Sequence, residues 1–289
     1  MSPKARTRAA AAALVLLAAG STLAFGQVTG TFAVFNAVSE NQNNVLDGGW
    51  VPKPSGTSSA AATTSPYSTA NLSWTPGANP PVTSQTLMYH DGGSGASASC
   101  PAAGSASYTA FSTPAAGANS ASVAGTDTAD WWCFEINSVD GNWTTDYVTF
   151  PGVRIFVPTS VALANGTLAG YSYNGDTIAI TFNQPPSNPG TVDVQVCTSG
   201  VIQIGSSTCG SGGSYGTITG LTISASASYP SSTSGVSGST LTITLGGASF
   251  FGFSHMTDTT GTFNAGGSLT SSGGQHACTT CTVSTSGGF

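Results

Sequence analysis

Asp130-Trp131-Trp132-Cys133-Phe134-Glu135-Ile136-Asn137-Ser138-Val139 decides the fold. Its period of two puts Trp132, Phe134 and Ile136 on one face and Trp131, Cys133 and Glu135 on the other. Ten residues of that alternation describe a strand, not a helix. The aromatic face is expected to point into a core, leaving Glu135 in solvent. Asp140-Gly141, immediately beyond, is a hairpin turn.

The same signal recurs in both directions. Upstream are Asn71-Leu72-Ser73-Trp74-Thr75-Pro76, Thr86-Leu87-Met88-Tyr89-His90, and shorter runs at 106–111 and 121–123. Residues 147–156 supply a closing strand. Downstream, Thr177-Ile178-Ala179-Ile180-Thr181-Phe182 and Leu241-Thr242-Ile243-Thr244-Leu245 alternate cleanly, with further runs at 159–163, 191–196, 201–204 and 217–223. Leu, Glu, Lys, Gln and Arg, on which helices depend, are scarce. The expected class is all-β: two tandem β-sandwich domains, at residues 68–157 and 158–289, following an N-terminal signal peptide. The join at Phe156-Val157-Pro158 is too short to act as a flexible linker. Residues 27–67 form an N-terminal strand and a Ser/Thr/Pro-rich lead-in, whose stretch 53–69 reads as flexible.

The signal peptide is read from Lys4, Arg6 and Arg8 ahead of an apolar run over residues 9–25. It occupies residues 1–26, ending at Ala24-Phe25-Gly26; the alternative cleavage site, Thr31-Phe32-Ala33, extends it to 33. Left uncleaved, this segment is the only one able to anchor the chain in a membrane. Of 289 residues only 6 % are charged. Three of the five basic residues lie in the leader and all eleven acidic ones beyond it, so its removal leaves a net charge of −9. Lys53 and Arg154 alone cannot track a phosphate backbone, which excludes nucleic-acid partners.

Six cysteines suit an exported chain. Proximity pairs them as Cys100–Cys133, Cys197–Cys209 and Cys278–Cys281. The last pair is a Cys-x-x-Cys, for which redox chemistry, or a metal site shared with His276, is the alternative. A β-prone context gives no helix N-terminus to activate a thiol, and no fourth metal ligand is evident.

Residues 68–157 resemble a fibronectin type III domain. The residues that carry the likeness are Leu72-x-Trp74-x-Pro76, Tyr89 on the third strand, and Trp132-x-Phe134-x-Ile136 ahead of Asp140-Gly141-Asn142-Trp143. A Cys100–Cys133 bridge departs from that family. Asn174-Gly175-Asp176-Thr177-Ile178-x-Ile180-Thr181-Phe182-Asn183-x-Pro185 resembles the opening of Ig-like modules in bacterial surface proteins, and residues 239–246 fit the same type. The resemblance implies adhesive or spacer architecture more than activity. Gly30-Thr31-Phe32-Ala33-Val34-Phe35-Asn36, with Asn44-Val45-Leu46-Asp47-Gly48-Gly49, resembles the N-termini of camelysin-type and biofilm-matrix fibre proteins. That likeness implies an assembly strand, carried by Thr31, Phe32, Val34 and Phe35, which completes a neighbour's sheet. The alternative is a strand packed on its own sandwich.

Catalytic signals are weak. Gly212-Gly213-Ser214-Tyr215-Gly216 matches a nucleophile elbow in letters, but it sits in a Gly/Ser loop without the strand and helix that an elbow needs. His90, His255 and His276 form no recognisable triad or metal spacing. Asp127, Asp130, Glu135 and Asp140 are the carboxylates to weigh for glycoside hydrolysis, and Asp127 with Asp130 for calcium. Glu135 is expected in solvent, the Asp residues sit in turns where they cap backbone N–H groups, and no EF-hand spacing exists, so no catalytic residue, cofactor or metal is assigned. Of Trp50, Trp74, Trp131, Trp132 and Trp143, the pair Trp131 and Trp143 is the best placed to stack on a sugar; covering a sheet edge is the alternative.

The expectation is a secreted or cell-surface structural or adhesive protein, not an enzyme, that self-assembles into extracellular fibres or matrix. Its partners are like subunits, other surface components or polysaccharide. The alternative is a carbohydrate-binding module or an accessory domain of an exported glycosidase.

Overall fold

A computed structural model describes residues 51–78, 82–124, 130–166, 169–248, 254–256 and 260–289. Every regular element among them is a strand. The first half contains β1 (Ser55–Ala61), β2 (Ala70–Thr75), β3 (Ser84–Asp91), β4 (Thr109–Ser112), β5 (Ser120–Val123), β6 (Trp132–Asp140), β7 (Trp143–Thr144) and β8 (Val148–Thr149). They form two sheets, β1-β2-β5 and β4-β3-β6-β7, with β8 also paired to β6. Leu72 and Trp74 from the first sheet meet Leu87, Trp132, Phe134 and Ile136 from the second in one buried cluster. This is sandwich packing, with the apolar face of each strand turned inward.

Three expectations are corrected in this half. The lead-in at 53–69 contains β1, whose Ala60 and Ala61 pair with Asn71 and Ala70. Its Ser/Thr/Ala composition carries no apolar alternation, so β2 supplies the template. The closing strand at 147–156 is reduced to β8 and two isolated bridges, Val153 to Trp132 and Phe156 to Ala277. Glu135 does not face solvent: β6 is buried on both faces, and Glu135 is 1 % exposed. The Cys100–Cys133 bridge ties the loop after Cys100 to the outer face of β6, where Gly104 N–H donates to Glu135 Oε2 at 2.8 Å.

A polar clamp fixes the crossing between the two sheets. Trp74 Nε1 donates to Gln85 Oε1 at 2.7 Å, and Gln85 Nε2 donates to the carbonyls of Ala115 and Ala118, each at 2.8 Å. Gln85 is fully buried, so these bonds replace its hydration and hold the β4–β5 connection in place.

The second half contains β9 (Pro158–Ala164), β10 (Tyr171–Ser172), β11 (Thr177–Phe182), β12 (Thr191–Cys197), β13 (Val201–Ile204), β14 (Gly216–Thr219), β15 (Ala227–Ser237), β16 (Thr240–Thr244), β17 (Ser254–His255), β18 (Thr262–Ala265) and β19 (Thr282–Gly288). Nine of these form one closed ring in the order β11-β16-β15-β12-β13-β14-β18-β19-β9. The sequence suggests an open sandwich; the hydrogen bonding joins its edges. Closure is the parallel pairing of β19 with β9, in which Gly287 sits opposite Leu163. Gly287 has φ +74°, and a Cβ there would lie 2.2 Å from the Leu163 carbonyl oxygen, so glycine is required. Inside the ring, Val161, Ile178, Ile180, Val194, Ile202, Ile243 and Phe263 belong to one apolar core.

The outward positions across β15, β16, β11 and β9 are small and uncharged. Thr233, Thr244, Thr177 and Ala164 form one row across the strands, and Gly235, Thr242, Ala179 and Ala162 the next. Asp176, at the turn into β11, is fully buried and accepts from Gly166 N–H at 2.7 Å and Tyr173 N–H at 2.6 Å. Burial raises its pKa, with the two amide bonds working against the rise.

Candidate functional site

The short join between the halves is held from both sides. Asn183 Nδ2 donates to the Ile155 carbonyl at 2.7 Å, and Asn183 Oδ1 accepts from Val157 N–H at 3.1 Å. The segment before β19 runs back across the join. Ala277 bridges to Phe156, and the amide of Thr279 donates to the Pro66 carbonyl at 3.0 Å. Cys278 is fully buried within the core of the first sandwich, and Cys281 packs against that core. Residues late in the chain therefore complete the earlier core.

A cleft of about 360 Å³ opens at this join. Trp131 and Arg154 line it from the first half, and Gln184, Gln275 and His276 from the second; Gly152, Gly273 and Gly274 leave it unobstructed. Gly152 also permits close approach of the 98–100 loop, since a Cβ there would meet Ala98 Cβ at 2.5 Å. Trp131 lies just before β6, and its Nε1 donates to the Gly95 carbonyl at 3.0 Å. Arg154 donates to the carbonyls of Gly95 and Ser94, both at 3.2 Å, and its guanidinium carbon lies 5.9 Å from the centre of the Trp131 ring. Burial lowers the Arg154 pKa, and nearby Asp130 pulls it back up.

On the opposite wall, the His276 ring stacks on Tyr67, with centroids 4.8 Å apart and planes 17° from parallel. His276 Nδ1 is 2.7 Å from the Gly267 carbonyl oxygen. A carbonyl only accepts, so Nδ1 carries the proton, and Nε2 of the neutral ring is an acceptor. Gln275 Nε2 donates to the Arg154 carbonyl at 2.8 Å, whereas the bond from Gln184 Nε2 to Gln275 Oε1 is long, at 3.4 Å. The Gln184 amide is thus the more loosely held of the two.

The structure separates Trp131 from Trp143. Trp143 pairs with Asp140, the last residue of β6, whereas Trp131 precedes the first. A nine-residue strand spans about 30 Å, so no single sugar ring touches both indoles. Trp143 is 47 % exposed and stands apart from the cleft. Thr31, Phe32, Val34 and Phe35, like Trp50 and Asp127, lie outside the described residues.

The cysteines pair as Cys100–Cys133, Cys197–Cys209 and Cys278–Cys281, leaving no free thiol. The Cys278 and Cys281 sulfurs bond each other, and His276 Nδ1 turns to Gly267, which leaves no ligand set at the Cys-x-x-Cys. Ser214 Oγ donates to the Gly205 carbonyl at 2.9 Å in a loop followed by β14, so the elbow-like motif lacks its helix. Glu135 has a raised pKa because it is buried, the Gly104 bond opposing the rise; Tyr108 and Tyr147 are raised by burial and then by the charge of Glu135. Asp130 and Asp140 lie five residues from Glu135 in either direction, about 16 Å along the strand. That exceeds the separation of a glycosidase pair.

A second surface stands out at the sheet edge. Among the described residues β4 pairs only with β3, and all four of its residues are exposed. Phe111 is 44 % exposed, with its ring 6.3 Å from that of Phe134 and 6.5 Å from that of Tyr89. No charged residue occurs between positions 103 and 126, which include both β4 and β5. The sequence places a strand run at 106–111 but does not show it as an edge, because a single Phe in a Ser/Ala/Thr run gives no sign of which neighbours pair with it.

No family model matches the chain, and no curated protein matches it. Among solved structures, a segment of two fibronectin type III domains from chicken tenascin is similar to it at 11 % identity, with a TM-score of 0.29, over 80 % of this chain and 97 % of that one. A likeness that loose does not fix a shared topology.

Proposed function

We propose that this chain is an extracellular structural or adhesive protein, not an enzyme, that associates with like subunits through its sheet edges. The observation that supports the reading best is the β4 edge, which is unpaired on its outer side, uncharged, and carries the exposed Phe111. Natural edge strands are ordinarily defended by Lys, Pro or a bulge; β4 has neither Lys nor Pro within it, and its one irregularity, a bulge opposite Leu87 and Met88, is where the exposed Phe111 sits. Three disulfides and an uncharged Thr/Ala/Gly sheet face agree with an oxidising, external setting. The strand Thr31, Phe32, Val34 and Phe35 is the proposed donor once the leader is removed.

Fractionation of cells producing the full chain, with electron microscopy of the mature protein at high concentration, tests the reading. The expected result is protein in the surface fraction and ordered filaments or arrays. Protein confined to the cell interior, or monomeric at every concentration, overturns it.

A further inference from the structure

We infer that the cleft at the join of the two halves binds a neutral saccharide. The site is distinct from the β4 edge and does not depend on assembly.

The cleft has the setting of a ligand site: a concavity between two packed units, of a volume that suits one or two sugar rings. Its two walls carry different chemistry. Trp131 is fixed by the Gly95 bond and backed by Arg154, so its ring is presented at low entropic cost. His276, also in the cleft lining, is fixed by Gly267 and stacked on Tyr67, leaving Nε2 of the neutral ring as an acceptor. An aromatic ring suits the C–H face of a pyranose, while an acceptor nitrogen and an amide suit its hydroxyls. Gln184 supplies that amide, and Gln275 positions it while holding the Arg154 carbonyl.

Charge decides between ligand classes. The one cation lining the cleft, Arg154, is 7 % exposed and is already engaged by the Ser94 and Gly95 carbonyls and by the field of Asp130. Among the described residues, no carboxylate lines the cleft. It therefore offers an anion or a cation little, and its glycines and amides suit a lipid chain poorly. A polar, uncharged, ring-shaped ligand is what remains.

The test uses the full mature chain labelled with 5-fluorotryptophan. Its fluorine spectrum is followed on titration with neutral cello-, chito-, xylo- and malto-oligosaccharides, and with acidic oligogalacturonates. The expected result is that at least one neutral series shifts the Trp131 resonance. Affinity should fall at least about tenfold in Gln184→Ala and in Trp131→Ala, and should hold in Trp143→Ala. Gln184 is half-buried and belongs to neither apolar core, so Gln184→Ala separates lost contact from lost fold, with the melting temperature as the check. Binding that persists in Phe111→Lys keeps the inference separate from assembly. No shift with any neutral series, a response to acidic sugars alone, or an affinity untouched by Gln184→Ala overturns it.

Discussion

The indole N–H of Trp74 donates to the side-chain carbonyl of Gln85 at 2.7 Å, deep between the two sheets of the first sandwich. Because the Gln85 amide also serves the Ala115 and Ala118 carbonyls, one residue satisfies polar groups from two other segments, β2 and the β4–β5 connection. Gln85→Leu keeps the volume and removes every one of these partners. It should cost about 3 kcal/mol or more, since each orphaned buried group costs about 1–3 kcal/mol. Urea unfolding followed by tryptophan fluorescence measures the loss.

Glu135 makes stability depend on pH with an unusual sign. Burial raises its pKa in the folded state above the ordinary Glu value of 4.5, so the folded state binds the proton more tightly than the unfolded chain does. Its contribution is complete below the unfolded pKa and is lost as pH climbs through the raised one. Asp176, also raised by burial, acts in the same direction from its ordinary value of 3.8. Glu135→Gln keeps a carbonyl oxygen for Gly104 and removes the charge. The variant's melting temperature should fall less than that of the parent between pH 4 and pH 7. Each kcal/mol recovered appears as about 2–4 °C.

The Cys278–Cys281 staple belongs to the late segment of the chain but fills the early core. Trp74, Trp131, Trp132 and Trp143 all lie in the first half, so their fluorescence follows the unfolding of that half. Cys278→Ala with Cys281→Ala should lower the fluorescence-detected unfolding free energy by about 2–3 kcal/mol. A fragment of residues 51–157 should lack fixed near-ultraviolet circular dichroism. A fragment with native-like tertiary signals would show that the first half does not need the staple.

Charge placed on the β4 edge should block association. Phe111→Lys exchanges an exposed ring for a solvated cation where strands of two molecules are proposed to meet. The variant should stay monomeric at concentrations where the parent assembles, by light scattering. Its melting temperature should change little, because nearly half of the ring is already in water.

The strands whose apolar residues alternate were legible in the sequence: β2, β3, β6, β11 and β16 fall where Leu72, Leu87, Phe134, Ile180 and Ile243 place them. The cysteine pairs followed from proximity. What escaped the sequence is set by partners distant along the chain. β1 is a strand because β2 templates it, and Glu135 is buried because a disulfide folds the 100–108 loop over it. β19 closes the ring across more than a hundred residues, with Thr-Ser-Gly-Gly where no hydrophobic pattern exists. The cleft was half visible: Trp131 was singled out, but its partners Gln184 and His276 come from the other half, and only the folded join brings them together.

The seam between β9 and β19 unites the first and last strands of the ring in chain order, and Cys278 lies just before that last strand. A chain emerging from its N-terminus can therefore complete neither core until about 280 residues are free. Completion of the two cores is thereby a single late step, made by one short segment that closes the ring and carries Cys278 into the other half.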